Sequence, residues 1–194
     1  MKTAVIRYNA GNIRSLGFAL EKMNISFSVT DQAEEITSAD RVIFPGVGEA
    51  SSTMKFLKEK KLDQAIKNLK QPVLGICLGM QLLCRRSEEN STDCLGIFDC
   101  DVKKIPDGHG IKVPHMGWNQ LMDTRDWIPE SLNQGYGYFV HSYYVPVGPH
   151  TCATVRHGIA ISAAVRKENF YAVQFHPEKS GDTGLSVLKS FFEL

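Results

Sequence analysis

At 194 residues with 43% hydrophobic side chains, the chain can bury one sizeable core but has little material for a second, so a single domain over 1–194 is expected. Its 22% charged residues sum to a formal net charge of +1, which gives no electrostatic footprint for nucleic acid or an anionic membrane. No apolar run approaches the ~20 residues of a membrane span, and the start has only a four-residue apolar stretch where a secretory signal needs more, so a cytoplasmic protein is expected.

Strand and helix signals alternate through the first half. Residues 3–7 form a short apolar run with β-branched members and read as a strand. Ile13, Leu16, Leu20 and Met23 follow at the spacing of one helix face, with Asn12 as a plausible cap. Residues 25–30 and 41–44 read as a second and a third strand, the third broken by Pro45-Gly46-Val47-Gly48. Leu62, Ala65, Ile66 and Leu69 make a clear helical stripe. A fourth strand is predicted over 72–76, ending in Gly75-Ile76-Cys77-Leu78-Gly79, with a helix over 80–86. Such alternation implies parallel pairing with right-handed crossovers, and ligand sites at the carboxyl ends of the strands. Both glycine-rich turns fall at such ends. In the second half, 136–145 and 159–175 are rich in aromatic and β-branched residues and read as strands, partly antiparallel. Leu185, Leu188, Phe191 and Phe192 give a closing amphipathic helix. The expected fold is α/β: an open, mostly parallel twisted sheet with flanking helices and some antiparallel strands in the C-terminal half.

The five cysteines are odd in number, irregular in spacing and contain no CxxC pair, which points away from a zinc ribbon or a thioredoxin-type site. A free cysteine is ordinarily a small buried hydrophobe. Context singles out Cys77. G-x-C-x-G directly after a buried strand is the cysteine counterpart of the nucleophile elbow. A nucleophile there sits on a sharp strand-to-helix turn, and the flanking glycines let the backbone close. The helix N-terminus favours thiolate, and the Leu78 N–H points where an oxyanion would form. A thiol nucleophile needs a base, and six histidines are available. His176-Pro177-Glu178 follows an apolar strand. Pro177 stiffens the turn, and Glu178 is near enough in sequence to orient the imidazole. Alone it reads equally as a turn; with the elbow it completes the order cysteine, histidine, glutamate. Pro45-Gly46-Val47-Gly48 lets a peptide present its N–H to a ligand oxygen, although a tight loop explains it as well. It lacks the third glycine of a dinucleotide fingerprint, and the chain has no GK[ST] phosphate loop.

Taken together these pieces resemble the class I, or triad, glutamine amidotransferases, most closely the glutaminase subunits of imidazole glycerol phosphate synthases. The resemblance runs over nearly the whole chain. It rests on Gly75-Ile76-Cys77-Leu78-Gly79-Met80-Gln81, on Gln174-Phe175-His176-Pro177-Glu178-Lys179-Ser180 and on Pro45-Gly46-Val47-Gly48. Val113-Pro114-His115-Met116-Gly117-Trp118-Asn119 and Tyr138-Phe139-Val140-His141-Ser142-Tyr143-Tyr144 also match, and the first of these is not needed for the triad. The resemblance implies Cys77 as nucleophile, His176 as base and acid, and Glu178 as the orienting acid, with Gly46, Gly48 and Leu78 at the oxyanion site. It implies that Gln81 and Glu89 help hold glutamine and that His141, Ser142 and Tyr143 line it. Asn12, Trp118, Asn119, Tyr138 and Lys179 match positions at or near a partner-facing surface. The implied partner is a separate (βα)8-barrel cyclase in a one-to-one heterodimer, and no metal or organic cofactor is required.

One segment departs from the family pattern. An acidic residue, tyrosine, glycine, any residue, glycine and asparagine are usual there; this chain has Arg7-Tyr8-Asn9-Ala10-Gly11-Asn12. Asn tolerates positive φ, so Asn9 is a mild change, whereas Arg7 reverses a charge. Two other functions fit the same triad: a paralogous glutaminase feeding another synthase, such as one acting on a sugar, and a stand-alone γ-glutamyl cysteine hydrolase.

Overall fold

A computed structural model describes residues 1–8, 13–108 and 110–194. Asn9, Asn12 and His109 lie outside the described residues. The strands that form the central sheet are β1 (Thr3–Ile6), β2 (Phe27–Thr30), β3 (Arg41–Phe44), β4 (Val73–Ile76), and, late in the chain, β11 (Thr151–His157), β12 (Ile159–Lys167) and β13 (Phe170–Val173). Their order across the sheet is β11-β12-β13-β4-β3-β1-β2. The five strands from β13 to β2 pair in parallel, while β12 and β11 add antiparallel hairpin pairing at one edge. Strands β1, β3 and β4 are short, largely apolar and buried because both sheet faces are covered there, whereas edge strand β2 is only partly covered. Period-2 alternation then divides their side chains between two cores. Ile6, Val42, Phe44 and Val73 pack on one face with Leu57, Ile66 and Phe98, and Val5, Ile43, Leu74 and Ile76 pack on the other with Leu20, Val187 and Phe191.

The helices are α1 (Ile13–Lys22), α2 (Ala33–Thr37), α3 (Ala50–Glu59), α4 (Leu62–Lys67), α5 (Leu78–Leu82) and α6 (Gly181–Phe192). The stripes read from Ile13 and Leu16 and from Leu185 and Leu188 become α1 and α6. Helix α3 went unpredicted, although Ala50, Thr53, Met54 and Leu57 are its buried face. Their spacing is helical, but two of the four are too small or polar to stand out as a stripe. No helix among the described residues is long and apolar enough to cross a membrane.

The helix expected over 80–86 needs correction. Helix α5 ends at Leu82, and Cys84–Ser87 is a strand, β5. Two later strands capture it: β6 (Thr92–Asp93) pairs with it antiparallel and β7 (Phe98–Lys104) in parallel. Ladder pairing with residues up to a dozen or more positions away overrides local helix propensity here. A third unit is the two-stranded ribbon of β8 (His115–Gln120) and β9 (Tyr136–His141), in which His115 lies directly opposite His141. After it, β10 (Tyr143–Tyr144) pairs with β7. This ribbon stands over the carboxyl ends of the parallel strands and walls the cavity that opens there.

Candidate active site

At the end of β4 the chain turns through Cys77, whose φ of 52° and ψ of −109° lie where a residue with a side chain is strained. Such conformations cost about 1–3 kcal/mol and persist when their surroundings over-determine them. Here the Cys77 N–H donates to Val173 O at 2.8 Å, which ties the elbow to β13. The glycine at 79 is needed for close approach, not for unusual dihedrals. A Cβ at Gly79 would lie 2.0 Å from Phe44 O, so the end of β3 and the first turn of α5 touch through bare backbone. Gly46 fills the same role from the facing loop, with Gly79 N only 2.3 Å from where its Cβ would be.

Because β13 runs beside β4, the two strand ends deliver Cys77 and His176 to one cavity of about 400 Å³. His176 Nδ1 is 2.8 Å from Glu178 Oε1, and both side chains are nearly inaccessible to solvent. Since a carboxylate only accepts, Nδ1 carries the proton in this contact. The turn is pinned to β9: His176 N–H donates to Tyr138 O at 2.9 Å, and Ser180 Oγ accepts from Tyr138 N–H and donates to His176 O. Nε2 is buried without a well-formed hydrogen bond, and the Cys77 sulfur is the neighbouring group that acts on it. Burial pulls the imidazole pKa down, but the hydrogen-bonding and charge of Cys77 and Glu178 outweigh it and raise the pKa to about 10.

Most of the residues singled out in the sequence line this cavity: Gly48, Cys77, Leu78, Gln81, Glu89, His141, Ser142, Tyr143 and His176. Gly46 and Glu178 do not. They border a much smaller space behind the imidazole, and of the loop it is Val47 and Gly48 that face the main cavity. Gln81 Nε2 donates to Tyr143 O at 2.8 Å and to Gln174 Oε1 at 3.0 Å. Gln174 in turn directs its own Nε2 at Cys77 Sγ, 3.6 Å away. Sequence reasoning gave Gln174 no role; the available signal was a glutamine closing an apolar strand, which a core position tolerates only when its amide is satisfied. Glu89 Oε2 accepts the Ala50 N–H at 2.7 Å at the start of α3. Its pKa is raised, chiefly by burial, with Glu49 adding and the Ala50 N–H opposing. Tyr8 was also unassigned. Its buried hydroxyl donates to Pro45 O at 2.5 Å, and its pKa is pushed up by burial and by the nearby Cys77.

Of the surface residues, Trp118 is exposed and meets Tyr138 edge to face, with Lys179 Nζ 5.9 Å from the Tyr138 ring. Asn119 is different: its side chain turns inward onto His115 and onto Arg156 O. Arg7 finds its counter-charge at the end of the neighbouring strand, 2.8 Å from Asp31. Hydrogen bonding from Arg7 lowers the Asp31 pKa to about 2. Among the described residues no cluster of three or more His, Cys, Asp or Glu side chains is arranged to hold a metal ion.

Comparison with known proteins matches the chain to the family described as "Glutamine amidotransferase class-I" over residues 4–194. It is 55% identical to the "Imidazole glycerol phosphate synthase subunit HisH" of Bacteroides thetaiotaomicron, with both sequences covered in full. The protein of the same name from Escherichia coli K12 is 44% identical, again over the whole of both. Among solved structures, a glutamine amidotransferase superposes with a TM-score of 0.75 at 20% identity, covering 97% of this chain and 98% of that one. Another glutamine amidotransferase, from Thermotoga maritima, gives 0.69 at 17%, covering 100% and 96%. At those identities the structural likeness speaks for the fold; the sequence matches carry the membership. The chain belongs to the class I glutamine amidotransferase family.

Proposed function

We propose that the chain, acting as one domain over 1–194, is the glutaminase subunit of an imidazole glycerol phosphate synthase. Full-length identity of 55% to a protein of that name supports the assignment. The observation that carries the chemistry is the cavity where Cys77 meets an imidazole whose far nitrogen is held by a buried carboxylate.

In this reading Cys77, as thiolate, attacks the side-chain amide carbon of glutamine. His176, protonated at Nε2 by the thiol, delivers that proton to the departing ammonia. A γ-glutamyl thioester remains on Cys77. Water enters, His176 takes its proton, and glutamate leaves as the thiol is restored. Glu178 holds the imidazole orientation and stabilises the imidazolium. The Leu78 N–H and a peptide N–H of the 46–48 segment receive the oxyanion, with Val47 and Gly48 on the cavity side. Gln81, Glu89, His141, Ser142 and Tyr143 hold the substrate. A cavity of about 400 Å³ suits a small amino acid.

Ammonia released into water would be protonated and lost, so this chemistry calls for a synthase docked on the chain. A (βα)8-barrel cyclase is the proposed partner. It would use the ammonia to form imidazole glycerol phosphate and an aminoimidazole carboxamide ribotide in histidine biosynthesis. Exposed Trp118 and Lys179, grouped around the half-buried Tyr138 ring, belong to the docking face. Removing one oxyanion donor costs ~10²–10³ in rate, so a 46–48 loop that turns one N–H in on docking is a switch of useful size.

The test is an assay of glutamine-dependent and ammonium-dependent synthesis with a cyclase subunit, using the wild type and Cys77→Ser. The variant should lose glutamine-dependent product while ammonium still supports it. Unimpaired glutamine use by Cys77→Ser would overturn the mechanism. Equal glutaminase rates with and without the cyclase would overturn the switch.

A further inference from the structure

The segment from Val113 to Asn119 carries no member of the proposed triad, yet two of its side chains make a continuous hydrogen-bonded line to the cavity wall. Asn119 Nδ2 is 3.1 Å from His115 Nε2, His115 Nδ1 is 2.9 Å from His141 Nε2, and His141 Nδ1 is 2.8 Å from Tyr143 O. The cross-strand pairing of His115 with His141 makes the middle contact possible. His115 is clamped between rings: Phe139 stacks on it at 4.7 Å and His157 at 4.1 Å between centroids.

Proton positions along this line follow by elimination. A carbonyl only accepts, so His141 Nδ1 carries a hydrogen. Burial keeps His141 and His115 neutral, with pKa values lowered to about 4 and about 3. His141 Nε2 is therefore bare and accepts, so His115 Nδ1 must donate to it. His115 Nε2 is then bare in turn and accepts from the Asn119 amide. The orientation of that amide is settled independently, because its nitrogen also donates to Arg156 O and its oxygen accepts the Gln120 N–H. Every link has one compatible polarity. The far end holds Tyr143, whose carbonyl also receives the Gln81 amide and which lines the cavity together with His141 and Ser142. The near end is the residue after exposed Trp118.

We propose that Asn119, His115 and His141 form a relay of fixed polarity that holds the cavity-lining segment 141–143 in register for glutamine, making His115 and Asn119 positioning residues of that site. The inference rests on the reading of the cavity as a glutamine site. His115 touches neither Cys77 nor His176, so its loss acts on substrate binding and not on the chemical step. It also gives the Val113–Asn119 segment a task on the inner side of the ribbon, distinct from that of Trp118 on the outer side.

The test compares His115→Phe, which keeps the ring stack but can neither donate nor accept, with His115→Gln, whose amide can do both. Each is assayed for glutaminase activity in complex with a cyclase subunit, with thermal melts to establish folding. His115→Phe should raise the glutamine KM about tenfold with kcat changed by less than about threefold, and His115→Gln should recover most of the loss. Imidazole ¹⁵N spectra of the wild type should show His115 and His141 both neutral and both protonated at Nδ1 at pH 7. A KM within twofold of wild type in His115→Phe, equal defects in the two variants, or Nε2 protonation of either ring overturns the relay. Failure of the wild type to turn over glutamine would overturn the functional reading instead, and the spectra would still decide the relay.

Discussion

The two walls of the cavity are built by opposite means. On one side, the ends of β4 and β13 hold Cys77 and His176 through backbone: a peptide hydrogen bond, a positive-φ elbow and glycines in contact. On the other, the β8–β9 ribbon holds its residues through side chains, a line of neutral imidazoles and amides. Burial lowers the pKa of the histidines on both walls. Only His176 has a carboxylate and a thiol beside it, and it alone is driven up, to about 10, while His141 and His115 fall to about 4 and about 3. Burial sets the scale of the effect in such a site, and the charge of the immediate partner sets its sign.

Removing that charge is the sharpest way to break the contrast. Glu178→Gln should cut glutaminase kcat by about 10²–10⁴-fold and bring the His176 pKa down from about 10 toward its ordinary value. Kinetics and an NMR titration of the imidazole check both. Activity within a few-fold of wild type would remove Glu178 from the mechanism.

The backbone-built wall should tolerate no added atom. Gly79→Ala places a Cβ against Phe44 O, with backbone on both sides and no flexible side chain to yield. We expect a loss of about 3 kcal/mol or more in urea unfolding. A cost below about 1 kcal/mol would show that the elbow adjusts.

The opposite pKa shifts predict opposite pH dependences of stability. Folded His176 keeps a proton that the unfolded chain releases above pH ~6.5, so its contribution is full below that value and is lost as pH rises toward about 10. Folded His115 and His141 refuse a proton that the unfolded chain takes up, so stability is lost as pH falls from ~6.5 toward about 4 and about 3. Urea midpoints across pH 5–10 should therefore decline at both ends. Glu178→Gln should flatten the alkaline arm. His115→Phe should flatten the acid arm by on the order of 1 kcal/mol at pH 5. An unchanged acid arm in His115→Phe would mean that His115 is not held neutral.

The smallest effect lies away from both walls. Arg7→Ala should let the Asp31 pKa rise from about 2 toward its ordinary value, as read by NMR, and leave glutaminase activity unaltered.

Local pattern alone determined the parallel half of this protein. The apolar runs at Thr3–Ile6, Arg41–Phe44 and Val73–Ile76 are strands buried on both faces; G-x-C-x-G marks the end of the last of them, and His-Pro-Glu marks the end of β13, which pairs beside it. Such signals are legible because each is confined to a handful of neighbouring residues. Only the tertiary structure decided that Cys84–Ser87 is a strand, that Gly46 and Glu178 lie behind the imidazole, that Gln174 faces the Cys77 sulfur and that Asn119 turns inward. Each of those outcomes depends on a partner distant in sequence: a ladder supplied by β7, a loop pressed against α5, a thiol 97 residues away, a carbonyl 37 residues further on at Arg156. Pairing energies between remote segments leave no trace in a local window, so the residues they select become visible only when the chain has closed on itself.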